Sequence, residues 1–237
     1  MFPNFIFENK IREKGFKIIA GVDEVGRGSF AGPLVCGAVV FKGKRIKEKI
    51  REDSIKINDS KKLSKIQREL ASAWIKKNAY GWGMGVVNVN EVNRLGLLKA
   101  TASGMRRSIA SINKKLDTRV EYLLIDAFYA PYIKGLPIPI KRIRGGFKGK
   151  RKAKIEDNNA RQLAIINGDE KSISIAAASI IAKVYRDKLM TKLAKNKRYK
   201  KYQWDKNSGY GTKVHREMIK KNGITRYHRK KYCLPYT

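Results

Sequence analysis

Hydrophobic positions along this 237-residue chain fall into two patterns, short dense runs and longer stretches of helical spacing. The dense runs are residues 16–22, residues 32–41 (GPLVCGAVVF) and residues 81–87 (GWGMGVV), each bounded by glycine or polar residues. Runs of that length and composition predict strands, here an antiparallel meander with room for a helix between the second and third. Ser64 opens that helix. Ser64 and Gln67 have capping-box spacing, and Leu70, Trp74 and Ile75 supply an apolar stripe. A longer helix is predicted over about residues 92–116, with Leu95, Leu98, Ala102, Met105, Ile109 and Ile112 on one face. YLLID at residues 122–126 predicts a buried strand. A last helix is expected over about 172–194, where Ile175, Ala178, Ala182, Tyr185 and Leu189 align. Strands early and again at 122–126, with helices between and after, predict an α/β fold: a mixed sheet flanked by helices.

Composition narrows the partners. The chain carries 54 Lys and Arg against 20 Asp and Glu, a formal net charge of +34. Such an excess of one sign points to a polyanion, whose counterions are released on binding. Residues 141–154 (KRIRGGFKGKRKAK) hold eight basic residues in fourteen and no acid, and read as a loop. Residues 204–212 (WDKNSGYGT) carry turn chemistry around Tyr210. Cys36 and Cys233 are too few and too far apart for a disulfide framework. The start of the chain has no signal-peptide core, and no apolar run reaches the ~20 residues of a membrane helix. A soluble, cytoplasmic protein is the expectation.

Against this background two adjacent acids end an apolar run: Asp23 and Glu24, followed by Gly26-Arg27-Gly28. Asp126 ends another. If the two strands are neighbours, their carboxylates meet at one sheet edge, where α/β folds commonly bind ligands. Carboxylate oxygens suit Mg²⁺ or Mn²⁺, and a divalent cation beside a phosphate is the chemistry they predict. Successive strand side chains face opposite ways, so Asp23 and Glu24 share a site only if the chain bends there. Asp169, in NGDEKS, reads by itself as a helix N-cap. His215 and His228, in very basic surroundings, read as solvated or phosphate-facing rather than as general bases.

Several stretches together resemble ribonuclease HII, the type 2 ribonuclease H: GVDEVGRGSFAGPLVCGAVV (21–40), NDSKKLS (58–64), LGLLKATASGMRRSI (95–109), LLIDAF (123–128), GDEKSISIAAASIIAKVYRD (168–187) and SGYGTKVHREMIKKNGITRYHRKKY (208–232). The resemblance runs in order from about residue 18 to 232. It implies a ribonuclease H-like domain over about 1–190 and a helical substrate-binding part over 191–237. It implies an endoribonuclease that cleaves the RNA strand of RNA–DNA hybrids and nicks duplex DNA 5′ to an embedded ribonucleotide, leaving 3′-hydroxyl and 5′-phosphate ends. By matching motif, Asp23, Glu24, Asp126 and Asp169 are the implied catalytic acids and ligands of two metal ions, Mg²⁺ or Mn²⁺. Gly26, Arg27 and Gly28 match the segment that reads the ribose 2′-hydroxyl. Tyr210 matches the tyrosine that stacks on the next deoxyribose, and Lys61 a phosphate contact. The implied partners are hybrid and ribonucleotide-containing duplexes, met by a monomer.

Physical chemistry fits these roles. The 2′-hydroxyl separates RNA from DNA, and glycine lets main-chain groups approach it closely. The chain departs from the family in its basic segment at about 141–159, which is longer than usual and is expected to add non-specific duplex affinity. Ribonuclease HIII, the sister enzyme, usually carries a preceding domain and Lys in place of Arg27. A non-catalytic basic nucleic-acid-binding protein, with its acids serving as caps, is the alternative of a different class.

Overall fold

The computed structural model describes residues 2–43, 46–116, 118–138 and 160–236; the basic segment 141–159 lies outside them. Five strands form one sheet: β1 (Ile19–Val25), β2 (Leu34–Val40), β3 (Gly81–Val87), β4 (Tyr122–Asp126) and β5 (Gln162–Ile165), in the order β3-β2-β1-β4-β5. The expected meander is present, since β1 pairs antiparallel with β2 and β2 with β3. On the other side of β1 the pairing turns parallel, to β4 and then β5. The mixed sheet flanked by helices is therefore the observed class.

In chain order the helices are α1 (Ile6–Glu13), α2 (Ile46–Glu52), α3 (Lys65–Asn78), α4 (Val89–Leu95), α5 (Leu97–Asn113), α6 (Ile173–Ala194), α7 (Trp204–Asn207), α8 (Lys213–Asn222) and α9 (Lys230–Cys233). Strand alternation divides the core between two of them. Ala20, Val22, Cys36, Leu123 and Ile125 pack with Met105, Ile109 and Ile112 of α5. Ile19, Leu124 and Ile165 face Ile175 of α6, and Val25 and Val35 face Ala182. Its run Ala176-Ala177-Ala178 keeps α6 slim. At Gly21 the helix lies so close that a Cβ would sit 2.1 Å from the carbonyl carbon of Ser174.

Local differences from the sequence pattern have physical causes. The helix expected over 92–116 breaks at Gly96, whose φ of +74° suits glycine, into α4 and α5. The break turns Leu98 outward, 70% exposed, and Leu70 of the predicted α3 stripe is also exposed. Ser64 caps α3 with the expected capping box. Ser172, not Asp169, caps α6, while Asp169 lies in a 3₁₀ turn over Gly168–Glu170. β1 does not end at residue 22 but runs on through both acids.

The C-terminal elements gather round an aromatic cluster of Tyr199, Tyr202 and Trp204, joined by Met190 and Ala194 from the last turns of α6. The domain boundary expected at 190 thus falls inside α6. Residues 30–32 form a strap on this cluster. The amides of Phe30 and Ala31 donate to the Gly209 carbonyl, that of Gly32 to Tyr227, and that of Arg229 to Phe30. Among the described residues no helix is long and apolar enough to cross a membrane.

Candidate active site

Register brings the first acids together. Val22 of β1 pairs with Ile125 of β4, so Asp23 and Asp126 follow side by side at the carboxyl ends of neighbouring parallel strands. Adjacent strands lie about 4.8 Å apart. Asp126 pairs with Ile165 of β5, and the chain then turns through Gly168–Glu170 to bring Asp169 in. The amide of Gly168 donates to Asp126 Oδ1 at 2.7 Å, tying that turn to β4.

Glu24 joins from the other face. Because β1 stays extended through Val25, alternation points Asp23 toward α6, where Ser179 bonds it, and Glu24 away. The bend the sequence required comes after the acids, at Gly26, with φ +93°. The carboxyls flank the strand end, near enough to feel one another's charge. The charge of Glu24 acts on Asp23, and that of Asp126 on both.

Burial sets the protonation of this group. It raises Asp23 well above the usual carboxylate range, with Glu24 and Asp126 adding to the effect. It pushes Glu24 up to about 7, against the pull of Arg27, whose Nη1 lies 3.3 Å from Oε1. Asp126 is raised by burial too, opposed by the Gly168 amide. Asp169 is pushed up to about 6 by burial and by the charges of Asp126 and Asp59. Burial pulls Lys61 down, but Asp59, Asp169, Asp23 and Asp126 together outweigh it. Its side chain is 81% exposed, and its ammonium lies 3.7 Å from Asp169 and 3.9 Å from Asp59.

These residues fit a divalent cation. The donors are all oxygen, as Mg²⁺ and Mn²⁺ prefer. They oppose one another's ionisation, which a cation relieves, and Glu24 Oε2 is buried without a hydrogen-bond partner. Among the described residues no three His, Cys, Asp or Glu side chains already close round one point. Binding therefore requires the carboxyls to turn inward.

The remaining candidates sit on a frame that the sequence did not reveal. The Arg27 guanidinium lies 4.8 Å from the Phe128 ring. Beneath Gly26 lies buried Arg186; a Cβ there would be 2.2 Å from its Nε. Arg186 donates to the carbonyls of Pro33, Ala31 and Ser208, and its guanidinium is 5.6 Å from the Tyr210 ring. Buried Arg229 donates to the carbonyls of Arg27 and Gly32. Ser29 bridges to Tyr210, whose side chain remains 37% exposed. Gly28 has open space where a side chain would be. Asp59 is a further buried acid, which accepts from the Lys61 amide at 2.9 Å and whose charge acts on Asp169. Its place in NDSKKLS, among so few acids, was the available signal. His215 and His228 do not face phosphate: both are buried and bonded to each other.

Comparison with known proteins places nearly the whole chain in one family. The family model of ribonuclease HII matches residues 20–234. Ribonuclease HII of Caldanaerobacter subterraneus subsp. tengcongensis is 40% identical over 227 residues, covering 95% of this chain and 78% of that protein. That of Clostridioides difficile is 40% identical over 228 residues, covering 96% and 74%. The crystal structure of ribonuclease H2 from Pyrococcus horikoshii OT3 superposes with TM-score 0.64 at 25% identity, covering 92% of this chain and 96% of that one. A Bst-RNase HIII structure in complex with Mn²⁺ shares the fold, with TM-score 0.61, 20% identity and coverage of 92% and 70%. A sequence match across nearly the whole chain, on a sheet that gathers its scarce acids at one edge, leads to one conclusion: the chain belongs to the ribonuclease HII family of endoribonucleases.

Proposed function

We propose that Asp23, Glu24, Asp126 and Asp169 hold Mg²⁺ or Mn²⁺ and that the protein hydrolyses phosphodiesters in the RNA strand of RNA–DNA hybrids. By the same chemistry it nicks duplex DNA 5′ to a single embedded ribonucleotide, leaving 3′-hydroxyl and 5′-phosphate ends. One observation carries the reading: in a chain of net charge +34, buried Asp23 and half-buried Asp126 stand side by side at the ends of adjacent parallel strands. Held by these four acids, two divalent cations would supply Lewis acidity toward the attacking water and the leaving oxygen.

The chain's own residues do the rest. Asp23 and Asp126, on rigid strands, fix the position of the site; Glu24 and Asp169 approach it from the strand end and the 3₁₀ turn. Main-chain groups of Gly26-Arg27-Gly28 meet the ribose 2′-hydroxyl. Arg27 and Lys61 contact phosphate without regard to sequence. The Tyr210 ring stacks on the neighbouring deoxyribose, where a second hydroxyl would crowd it. Residues 191–237 serve as the substrate-binding part.

The test uses a duplex holding one ribonucleotide, with Mg²⁺. Asp23→Asn and Asp126→Asn are each expected to lower cleavage by at least about a hundredfold while duplex binding, measured in the same buffer, persists. Undiminished cleavage in both variants would overturn the assignment. Binding without Mg²⁺-dependent cleavage in the unsubstituted protein would leave a nucleic-acid-binding protein instead.

A further inference from the structure

Two buried histidines have no part in the chemistry above, yet they touch it at one atom. His215 lies near the start of α8 and His228 in the turn before α9. The amide of Thr225 donates to Nδ1 of His228 at 2.9 Å, so the proton of that ring sits on Nε2. This N–H meets Nε2 of His215 at 3.2 Å, which also accepts from the Trp204 indole at 3.1 Å. With Nε2 accepting, His215 carries its proton on Nδ1 and donates it to the main-chain carbonyl of Tyr210 at 2.9 Å. One neutral tautomer of each ring gives every ring nitrogen a role, the single lone pair of His215 Nε2 being shared between the Trp204 and His228 N–H groups. The packing favours neutrality. Tyr202 lies 4.8 Å from His228, and Phe30 6.2 Å from His215, centroid to centroid. Burial, then the neighbouring ring, lowers His228 to about 3.

Tyr210 needs such a hold. It stands between Gly209 and Gly211, after Ser208 with φ +47°, in a short link from α7 to α8. The Gly209–Tyr210 peptide is held by the Phe30 and Ala31 amides on its carbonyl and by its own amide on the Asn207 carbonyl, so the plane left to fix is that of Tyr210–Gly211, where glycine gives the backbone latitude. Fixing the Tyr210 carbonyl, which also accepts from the Thr212 amide at 2.9 Å, fixes the plane from which the ring projects.

We propose that His215 is a positioning residue for Tyr210: the relay from His228 through His215 sets the angle at which the tyrosine ring meets the sugar beside a ribonucleotide. The inference rests on the substrate role of Tyr210 given above, so the experiment begins there. Full-length protein with Mg²⁺ is offered a duplex with one ribonucleotide and a long hybrid, and the ratio of the two kcat/KM values is read. Tyr210→Ala is expected to lower this ratio, the junction suffering more than the hybrid. His215→Phe keeps the ring and removes both nitrogens; the ratio should fall about fivefold, the worth of one hydrogen bond. His215→Asn places an amide N–H near the position of Nδ1 and should keep most of the ratio, although it gives up the Trp204 and His228 contacts and melts lower. His215→Gln, with its amide near the position of Nε2, should not.

A folded His215→Phe with an unchanged ratio, beside a Tyr210→Ala whose ratio falls, overturns the positioning role and leaves the reading of Tyr210 standing. An unchanged ratio in Tyr210→Ala overturns both. If His215→Phe does not fold, equal ratios for the Asn and Gln variants overturn the proposal, and Asn above Gln supports it. In the unsubstituted protein, ¹⁵N shifts of the imidazoles should report Nδ1–H on His215 and Nε2–H on His228; the opposite tautomers would remove the donor on which the proposal depends.

Discussion

Asp169 keeps its proton up to a pH of about 6 because burial and the facing charges of Asp126 and Asp59 oppose its ionisation. Between the ordinary carboxylate pKa and that value the folded protein holds a proton the unfolded chain has released. The contribution of Asp169 to stability is therefore fullest below about pH 4 and is lost as pH rises through 6. Without metal, Asp169→Asn should gain about 1 kcal/mol at pH 7, after allowance for solvent screening, and nothing at pH 3.5. Urea unfolding at the two pH values checks this, and an equal change at both would show that charge is not the cause. Added Mg²⁺ should raise the melting temperature of the unsubstituted protein more than that of the variant. At this scale the sequence was legible where acids are scarce. Asp23, Glu24 and Asp126 stood out as acids ending apolar runs. Asp169 by itself reads as a cap, since its place near Asp126 depends on a 3₁₀ turn that no periodicity records. Arg186, Arg229 and the histidines were not legible, because only tertiary packing buries a polar side chain inside an ordinary basic stretch.

Among the elements, the seam between β1 and α6 matters most, since it sets the height of Asp23 above the helix. Gly21→Val would drive a side chain into the main chain of Ser174 and Ile175, which cannot yield as a flexible side chain does. We expect a loss of about 3 kcal/mol and a fall in melting temperature of roughly 6–12 °C. Calorimetry checks it, and an unchanged melting temperature would mean the seam opens freely. Most strands and long helices could be read from apolar spacing, and Ser64 announced α3. Three features could not. β5 has four residues and too little pattern to stand out. The break at Gly96 depends on a backbone angle. The position of α1 owes much to one buried contact, Glu8 accepting from Ser172 Oγ at 2.7 Å and the Ser174 amide at 3.0 Å, which no periodicity records.

For the whole molecule the excess of positive charge, +34, should set how association with a polyanion responds to salt. Deleting residues 145–154 removes five cations. It should lessen the dependence of duplex affinity on log salt by roughly 0.9 for each of those cations that meets a phosphate. Turnover at low salt should be nearly intact. Affinities measured from 50 to 200 mM salt decide the matter, and an unchanged slope would mean the segment never meets DNA or RNA.

The bond from Arg229 to the Arg27 carbonyl joins residues 202 apart, at 2.8 Å. Contacts this distant in sequence form late. On the ribosome, where chains emerge amino end first, the strands holding the acids are made long before the arginine that braces the turn beside them. A half-made chain can thus carry its strand-end carboxylates while the turn beside them still lacks its brace, until translation delivers position 229.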